Sequence, residues 1–202
     1  MASIYDLKPA FQNLLRPLTE RLARAGITAN QVTVAAAILS FVAGAIIFAF
    51  PDKRWPLLLI PLVLFLRMAL NAIDGMLARE HEMKTPLGAI LNELGDVFSD
   101  CALYLPLAVV PGIDARLIVV VVILAVISEM TGVLGVQTGA DRRYDGPMGK
   151  SDRAFVFGTL GVLLGLGLAA GMWVHIVLGI VVVLLALTIF NRARSALHGR
   201  VC

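Results

Sequence analysis

One short stretch of the chain gathers polar and charged side chains whose types and spacing could do chemistry. Residues 71–100 hold the carboxylates Asp74, Glu93, Asp96 and Asp100, in a chain that is 59% hydrophobic. A charged side chain inside an apolar membrane segment costs about 3 kcal/mol or more, so it is rarely kept there without a function. The cluster therefore indicates a functional site whose carboxylates need positively charged partners.

The spacing of these residues predicts that two neighbouring helices present them to each other. At about 100° per residue, Asn71 and Asp74 lie about 60° apart around one helix. On the next helix, four oxygen-bearing side chains share a stripe of under about a third of the circumference: Asn92, Glu93, Asp96 and Asp100. Oxygen ligands without His or Cys are typical of sites for Mg²⁺ or Mn²⁺. Two such ions bridging a phosphate are the usual chemical use of this kind of set.

Small residues and an arginine beside the carboxylates favour a phosphate-containing ligand. Gly75 and Ala78 keep the first of these helices thin and leave room for a ligand. Arg79 follows and can offer a bidentate contact to a phosphate group. This stretch is therefore predicted to bind a phosphate-containing ligand together with a hard divalent cation.

The elements that carry these residues are predicted to be membrane helices. The 202 residues have a mean hydropathy of +0.88 with 15% charged residues, and apolar runs near the ~20 residues that span a bilayer recur along the chain. We predict an all-α integral membrane protein, with an interfacial amphipathic helix in residues 1–27 and a six-helix membrane domain in residues 28–202. The predicted spans are residues 30–50, 56–79, 86–110, 115–137, 154–170 and 173–190.

The distribution of Lys and Arg predicts the orientation in the membrane. The N-terminal segment holds four, the loop at 79–86 two, the loop at 139–153 four and the C-terminal tail three, against three on the opposite side. By the positive-inside rule both termini and the site face the cytoplasm, in the inner (plasma) membrane. The net charge of +3 is therefore a topology signal, and we expect no nucleic-acid partner.

A motif on these two helices resembles a known signature. The pattern D-G-x2-A-R-x8-G is intact as Asp74, Gly75, Ala78, Arg79 and Gly88. It resembles the signature of the CDP-alcohol phosphatidyltransferase family, D-x2-D-G-x2-A-R-x8-G-x3-D-x3-D, and the six-helix layout is similar too. The resemblance implies transfer of a phosphatidyl group from CDP-diacylglycerol to an alcohol, with release of CMP, by a homodimer surrounded by membrane lipids.

The resemblance also implies roles for individual residues. Asn71, Asp74, Asn92 and Asp96 would hold two divalent cations, Mg²⁺ or Mn²⁺, with Asp96 as the base that accepts the proton of the alcohol. The implied CDP contacts are Asn30, Gly75, Ala78, Arg79, Thr85 and Gly88.

The chain departs from the family's pattern at two positions, because Asn71 and Asn92 stand where the signature has Asp. Each exchange removes one negative charge, and Glu93 and Asp100 on the same helix face could restore both charges as metal ligands. In a second alignment, Asp96 and Asp100 form the last pair. That alignment needs a longer gap between the two halves of the motif and loses its glycine.

Other charged residues give less specific predictions. Basic residues of the loop at 139–153 and of the last helix either reflect membrane topology alone or form an anion pocket for a phosphorylated polyol acceptor. The predicted acceptor contacts are Arg142, Arg143, Lys150, Arg153 and Arg192. Arg67 and Glu129 fall inside predicted spans and are expected to pair with each other, since an unpaired charge there would be costly.

Three other functions remain open at this point. A related enzyme could use a soluble CDP-linked donor and a lipid acceptor. The two asparagines could mark a catalytically inactive scaffold. A divalent-cation transporter would need polar groups that continue to the far side of the membrane, and the outer halves of the predicted helices have almost none.

Overall fold

The computed structural model describes residues 4–198, so the outer ends of both predicted domains, residues 1–3 and 199–202, lie outside the described residues. Seven α-helices and no β-strand occur in residues 4–198, which confirms the predicted all-α class. They are α1 (Ile4–Arg24), α2 (Ala29–Ala49), α3 (Leu59–Glu80), α4 (Pro86–Tyr104), α5 (Ala115–Gln137), α6 (Lys150–Gly165) and α7 (Met172–His198).

Four segments of the described chain are long and apolar enough to cross a membrane. They are α2, α5, α7 and the 26-residue stretch Trp55–Glu80, which contains α3. The other two predicted spans became α4, which carries three acidic residues, and α6, which has 16 residues and begins with a charged turn. The count of six spans therefore remains a prediction.

The predicted and observed helix ends differ where proline or capping decides them. The helix predicted over residues 86–110 ends at Tyr104 and continues as a 3₁₀ turn over Leu105–Val109. Pro106 has no N–H to donate to the carbonyl of Ala102, so the α-helical pattern stops there. In α6 the Asp152 carboxylate accepts the N–H of Gly149 at 2.9 Å, and this cap starts the helix at residue 150, before the predicted residue 154.

The described chain forms two compact units, and the first comprises Met1–Val42 and Val63–Ser99. Helix α1 is continuous through Pro9 and Pro17. Its apolar side, which includes Leu15 and Leu22, packs against a core from α2 and α3. The fully or nearly buried members of that core are Ala29, Val32, Ile73, Met76 and Leu77. The amphipathic pattern of the N-terminal segment thus holds α1 against the helices that carry the site.

The second unit comprises Ala43–Leu62 and Asp100–Cys202, and in it α5 lies along α7. The rings of Tyr104 and Phe157 stack with their centroids 4.0 Å apart. A Cβ atom on Gly44 would overlap the carbonyl oxygen of Ala102. That carbonyl is the one that Pro106 leaves without its helical donor, so a glycine at position 44 permits a close approach of two backbones.

We expect Gly44→Ala to lower the melting temperature of the purified protein in detergent, because overpacking of this kind costs about 1–3 kcal/mol. Gly179→Ala is the matched control: it lies inside α7 and nothing comes within 4 Å of a Cβ placed there. Alanine is a better helix former than glycine by about 1 kcal/mol, so the control should keep or raise the melting temperature. Equal melting temperatures for the two variants would contradict the close approach at Gly44.

Candidate active site

A cleft of about 530 Å³ lies in the first unit, between α2, α3, the loop before α4 and the start of α4. This volume is in the range of small-molecule sites in proteins. Every residue predicted to contact CDP lines the cleft, and so do Asp74 and Asn92. Lys84 also lines it and adds a positive charge that the sequence did not single out.

The start of α4 forms one wall of this cleft. Thr85 caps the helix, since its Oγ1 accepts the N–H of Gly88 at 2.9 Å, and Pro86 occupies the first helical position. Asn30 of α2 donates from Nδ2 to the same Thr85 oxygen at 3.4 Å. A Cβ on Gly88 would lie 2.6 Å from Asn30 Oδ1, so only glycine allows this contact without a shift.

The arginine of the motif lies against its glycine. A Cβ on Gly75 would lie 3.1 Å from Arg79 Nη2, so the absence of a side chain at 75 leaves room for the guanidinium there. Arg79 is exposed and faces the cleft as a lining residue. It is thus placed where it can bind an anionic ligand.

Asp74 is 8% exposed and is oriented by a hydroxyl group. Thr33 Oγ1 donates to Asp74 Oδ2 at 2.9 Å. Thr33 was not predicted, although its position gave a signal: Thr33 follows Asn30 by three residues and therefore shares its face of α2. The hydrogen bond fixes the direction of the carboxylate that the cleft presents.

Asp96 is held by two residues of α3. Asn71 donates from Nδ2 to Asp96 Oδ1 at 3.2 Å. Arg67 Nη2 lies 3.8 Å from the same oxygen and donates to the backbone carbonyl of Asp96 at 3.4 Å. Arg67 therefore has Asp96 in place of its predicted partner Glu129. Spacing gave the signal here too, since Arg67, Asn71 and Asp74 follow at intervals of four and three on one face of α3.

The two suspected replacement carboxylates lie in different settings. Glu93 is half-buried on α4 and is not a lining residue of the cleft. Asp100 belongs to the second unit, where its Oδ2 accepts from Arg153 at 3.1 Å. Within residues 4–198, no three Asp, Glu, His or Cys side chains are grouped as metal ligands would be. A cation near Asp74 would therefore depend on amide oxygens and on the oxygens of a bound ligand.

Glu129 organises a buried charge cluster in the second unit. Its Oε1 accepts from Arg153 at 3.0 Å, and its Oε2 lies 3.3 Å from both Arg142 Nη2 and Arg192 Nη1. With Asp100, two carboxylates thus face three guanidinium groups. Arg153 is 1% exposed, and its Nε and Nη1 are buried without a hydrogen-bond partner in the described structure, as is Nε of Arg192.

The remaining predicted acceptor residues lie beside this cluster or near it in sequence. Arg143 donates from Nη2 to the backbone carbonyl of Ser195 on α7 at 2.9 Å. The guanidinium of Arg142 lies over the ring of Tyr144, 4.4 Å from its centroid. Lys150 begins α6 and is half-buried. In the structure, Arg142, Arg153 and Arg192 thus contact Glu129, whereas Arg143 binds the backbone of α7.

Comparisons with known proteins agree on one family. The CDP-alcohol phosphatidyltransferase family matches residues 26–190. A protein of Escherichia coli K12, "Inner membrane protein YnbA", is 44% identical over 195 residues, 96% of each chain. The phosphatidylinositol phosphate synthase of Mycobacterium marinum is 31% identical over 124 residues, 60% of this chain and 51% of that protein. With the apolar helices, these matches indicate a membrane protein.

Solved structures show the same fold. The phosphatidylinositol phosphate synthase of Mycobacterium tuberculosis with CDP-DAG bound superposes with a TM-score of 0.76, over 89% of this chain and 92% of that one, at 18% identity. The same protein in complex with manganese and citrate also gives a TM-score of 0.76, over 90% and 88% of the two chains. At this identity the likeness establishes the fold.

We expect Thr33→Val to lower the free energy of unfolding by about 1.5–3 kcal/mol, the range for a hydrogen bond to a charged group, because it removes a donor from the buried Asp74 carboxylate. Thermal unfolding in detergent measures the effect. Thr33→Ser keeps the hydroxyl and should retain most of the stability. If Thr33→Ser loses as much stability as Thr33→Val, the methyl group of Thr33 matters and its hydrogen bond to Asp74 does not.

Proposed function

Because the chain belongs to the CDP-alcohol phosphatidyltransferase family, we propose that it transfers a phosphatidyl group from CDP-diacylglycerol to a hydroxyl acceptor, with release of CMP, in phospholipid synthesis. The observation that carries this proposal is the cleft of the first unit. The residues of the intact motif D-G-x2-A-R-x8-G line it, together with Asn30 and Thr85. The CDP-DAG complex of the mycobacterial synthase, a protein of the same fold, supports this choice of donor.

In this proposal, positive groups of the cleft bind the pyrophosphate of the donor. Arg79 lies beside Gly75 and supplies a guanidinium that can bind phosphate oxygens through two hydrogen bonds. Lys84 adds a second positive charge to the same cleft. The first N–H groups of α4 favour an anion near its N-terminus, which Thr85 and Asn30 help to shape.

Asp96 is proposed as the base that activates the acceptor. It takes the proton of the acceptor hydroxyl, the oxygen forms a bond to the phosphatidyl phosphorus, and the bond from that phosphorus to the CMP oxygen breaks. CMP leaves with the electron pair of that bond. Asn71 and Arg67 hold Asp96 through Oδ1, which fixes the orientation that proton transfer requires.

The cleft also suits a hard divalent cation, Mg²⁺ or Mn²⁺. Asp74, oriented by Thr33, and the amide of Asn92 both line the cleft and offer oxygen ligands. When bound, such a cation would polarise the pyrophosphate and stabilise the charge that develops on CMP. The manganese complex of the mycobacterial synthase supports this choice of ion.

We propose that the acceptor carries an anionic group, as a phosphorylated polyol does. The cluster around Glu129 holds more guanidinium groups than carboxylates, and Arg153 and Arg192 have buried N–H groups without partners. Buried donors of this kind gain from an anionic oxygen. The positive remainder of the cluster therefore supports binding of a phosphate on the acceptor.

The setting of the reaction is also part of the proposal. The Lys and Arg distribution supports cytoplasmic termini and a cytoplasmic site in the inner membrane. The resemblance of the motif supports a homodimer. A cytoplasmic site in the inner membrane would leave the donor's acyl chains in the bilayer and place its headgroup in water.

Release of CMP from CDP-diacylglycerol tests the proposed reaction. Purified protein in lipid nanodiscs, with Mg²⁺ or Mn²⁺ and a panel of alcohols, should release CMP and form one new lipid detectable by mass spectrometry. Asp96→Asn should lower the rate by about 10²–10⁴-fold, the usual contribution of a general base. Asp74→Asn should lower it as well, because it removes a ligand of the proposed cation. Asp52→Asn, an exposed carboxylate in another loop, is the matched control and should keep the rate.

Other results would replace this proposal with one of its alternatives. Product formed only from a soluble CDP-linked alcohol and diacylglycerol would reverse donor and acceptor. Binding of CDP without CMP release from any pair of substrates would favour an inactive scaffold.

We expect Arg142→Gln to raise the KM for a phosphorylated acceptor by about tenfold or more, since a hydrogen bond to a charged group contributes about 1.5–3 kcal/mol. The KM for CDP-diacylglycerol should stay unchanged. Arg142 is suited to this test because its side chain is 23% exposed, unlike that of Arg153. Arg116→Gln removes a cation from the start of α5 and serves as the control. Equal use of phosphorylated and unphosphorylated alcohols by the unaltered protein would contradict an anion pocket.

A further inference from the structure

The geometry around Asp96 points to one divalent cation per chain, and we propose that Arg67 takes the place of the second cation that the sequence led us to expect. This inference rests on the proposed function, because it concerns the same cleft. Asp74 would anchor the cation, and Asp96 would remain bound to Arg67 and Asn71.

Only two of the four motif positions, Asp74 and Asp96, carry a carboxylate, and two divalent cations would need more negative charge. Paired metal ions are normally neutralised by several carboxylates, since close ions of like charge repel strongly. Positions 71 and 92 carry amides, which supply oxygen ligands without negative charge. Within residues 4–198, no three acidic, His or Cys side chains are grouped as metal ligands. The set is thus suited to a single cation completed by amide and ligand oxygens.

The hydrogen bond of Asn71 gives Asp96 a direct partner in place of a cation between positions 71 and 96. An ionised carboxylate can only accept hydrogen bonds, so the amide NH₂ group of Asn71 must face Asp96 Oδ1, at 3.2 Å. An Asp at position 71 would instead place two carboxylates against each other, and a cation would have to bridge them. Asn71 removes that repulsion and satisfies Asp96 directly.

Arg67 supplies a fixed positive charge at the same carboxylate. Its Nη2 lies 3.8 Å from Asp96 Oδ1 and also donates to the Asp96 backbone carbonyl. The Arg67 side chain is 3% exposed, whereas that of Asp96 is 25% exposed. A buried guanidinium needs a carboxylate nearby, and a second cation at Asp96 would meet its repulsion. Arg67 therefore neutralises Asp96 and disfavours a metal ion there.

Asp74 has a different environment, which suits the one cation. It lines the cleft with Asn92, and the hydroxyl of Thr33 donates to its Oδ2 at 2.9 Å. Asp74 and Asp96 thus separate two tasks: Asp74 binds the metal, and Asp96 handles the proton under the influence of Arg67.

Electron paramagnetic resonance of bound Mn²⁺, measured with saturating CDP, tests the stoichiometry. The unaltered protein should bind one Mn²⁺ per chain with the spectrum of an isolated ion. Asp74→Asn should weaken Mn²⁺ binding by at least about 10–100-fold. Asp52→Asn, the matched control, should still bind one ion. The triple variant Arg67→Gln, Asn71→Asp, Asn92→Asp should bind two ions whose spectra show spin coupling.

The number of bound Mn²⁺ ions and the release of CMP together separate the inference from the proposed function. Two spin-coupled Mn²⁺ ions in the unaltered chain would overturn the inference, whether or not the triple variant folds. Two ions together with CMP release would leave the proposed function intact and remove only the inference. One ion without CMP release from any substrate pair would uphold the stoichiometry and contradict the function. No bound Mn²⁺ would contradict both.

Discussion

Burying a carboxylate among apolar helices is costly unless a neighbouring helix supplies a donor or a charge, and this constraint shapes both units of the chain. In the first unit Thr33 donates to Asp74, and Arg67 with Asn71 holds Asp96. In the second unit Glu129 is surrounded by three guanidinium groups. Polar contacts therefore join the helices within each unit at the residues proposed to act in the reaction.

The need to bring polar groups close to one another also explains where small residues are needed. Gly75 gives room to the guanidinium of Arg79, and Gly88 gives room to Asn30 at the start of α4. Gly44 permits close approach to the carbonyl of Ala102, which has lost its helical donor to Pro106. In each case a missing side chain lets a polar group reach its place. The glycines of the motif thus have a steric function in addition to any contact with a ligand.

The sequence predicted those features of the fold and the site that depend on the local pattern of residues. Apolar runs predicted the helices, and α5 was predicted over residues 115–137, as observed. In the structure this helix begins at residue 115 because the carboxylate of Asp114 caps it by accepting the N–H of Arg116 at 2.8 Å. The residues of the cleft followed from a motif with fixed spacing. The partner of Arg67 did not follow, because helical spacing defines the face of a residue but not which distant carboxylate meets that face. Thr33 was missed for the same reason, since a single hydroxyl in an apolar helix has many possible partners.

The same constraint bears on whether the two asparagines mark a loss of function. A chain without catalysis would gain stability by replacing a buried carboxylate with an apolar residue, because no ligand would require the charge. Asp74 is nevertheless kept at 8% exposure with a hydroxyl donor aimed at it. Asp96 likewise keeps a buried arginine and an amide for orientation. At position 71, where the signature has a carboxylate, Asn71 supplies a donor to Asp96 Oδ1, so the exchange leaves Asp96 oriented. This arrangement favours an altered active site over an abandoned one.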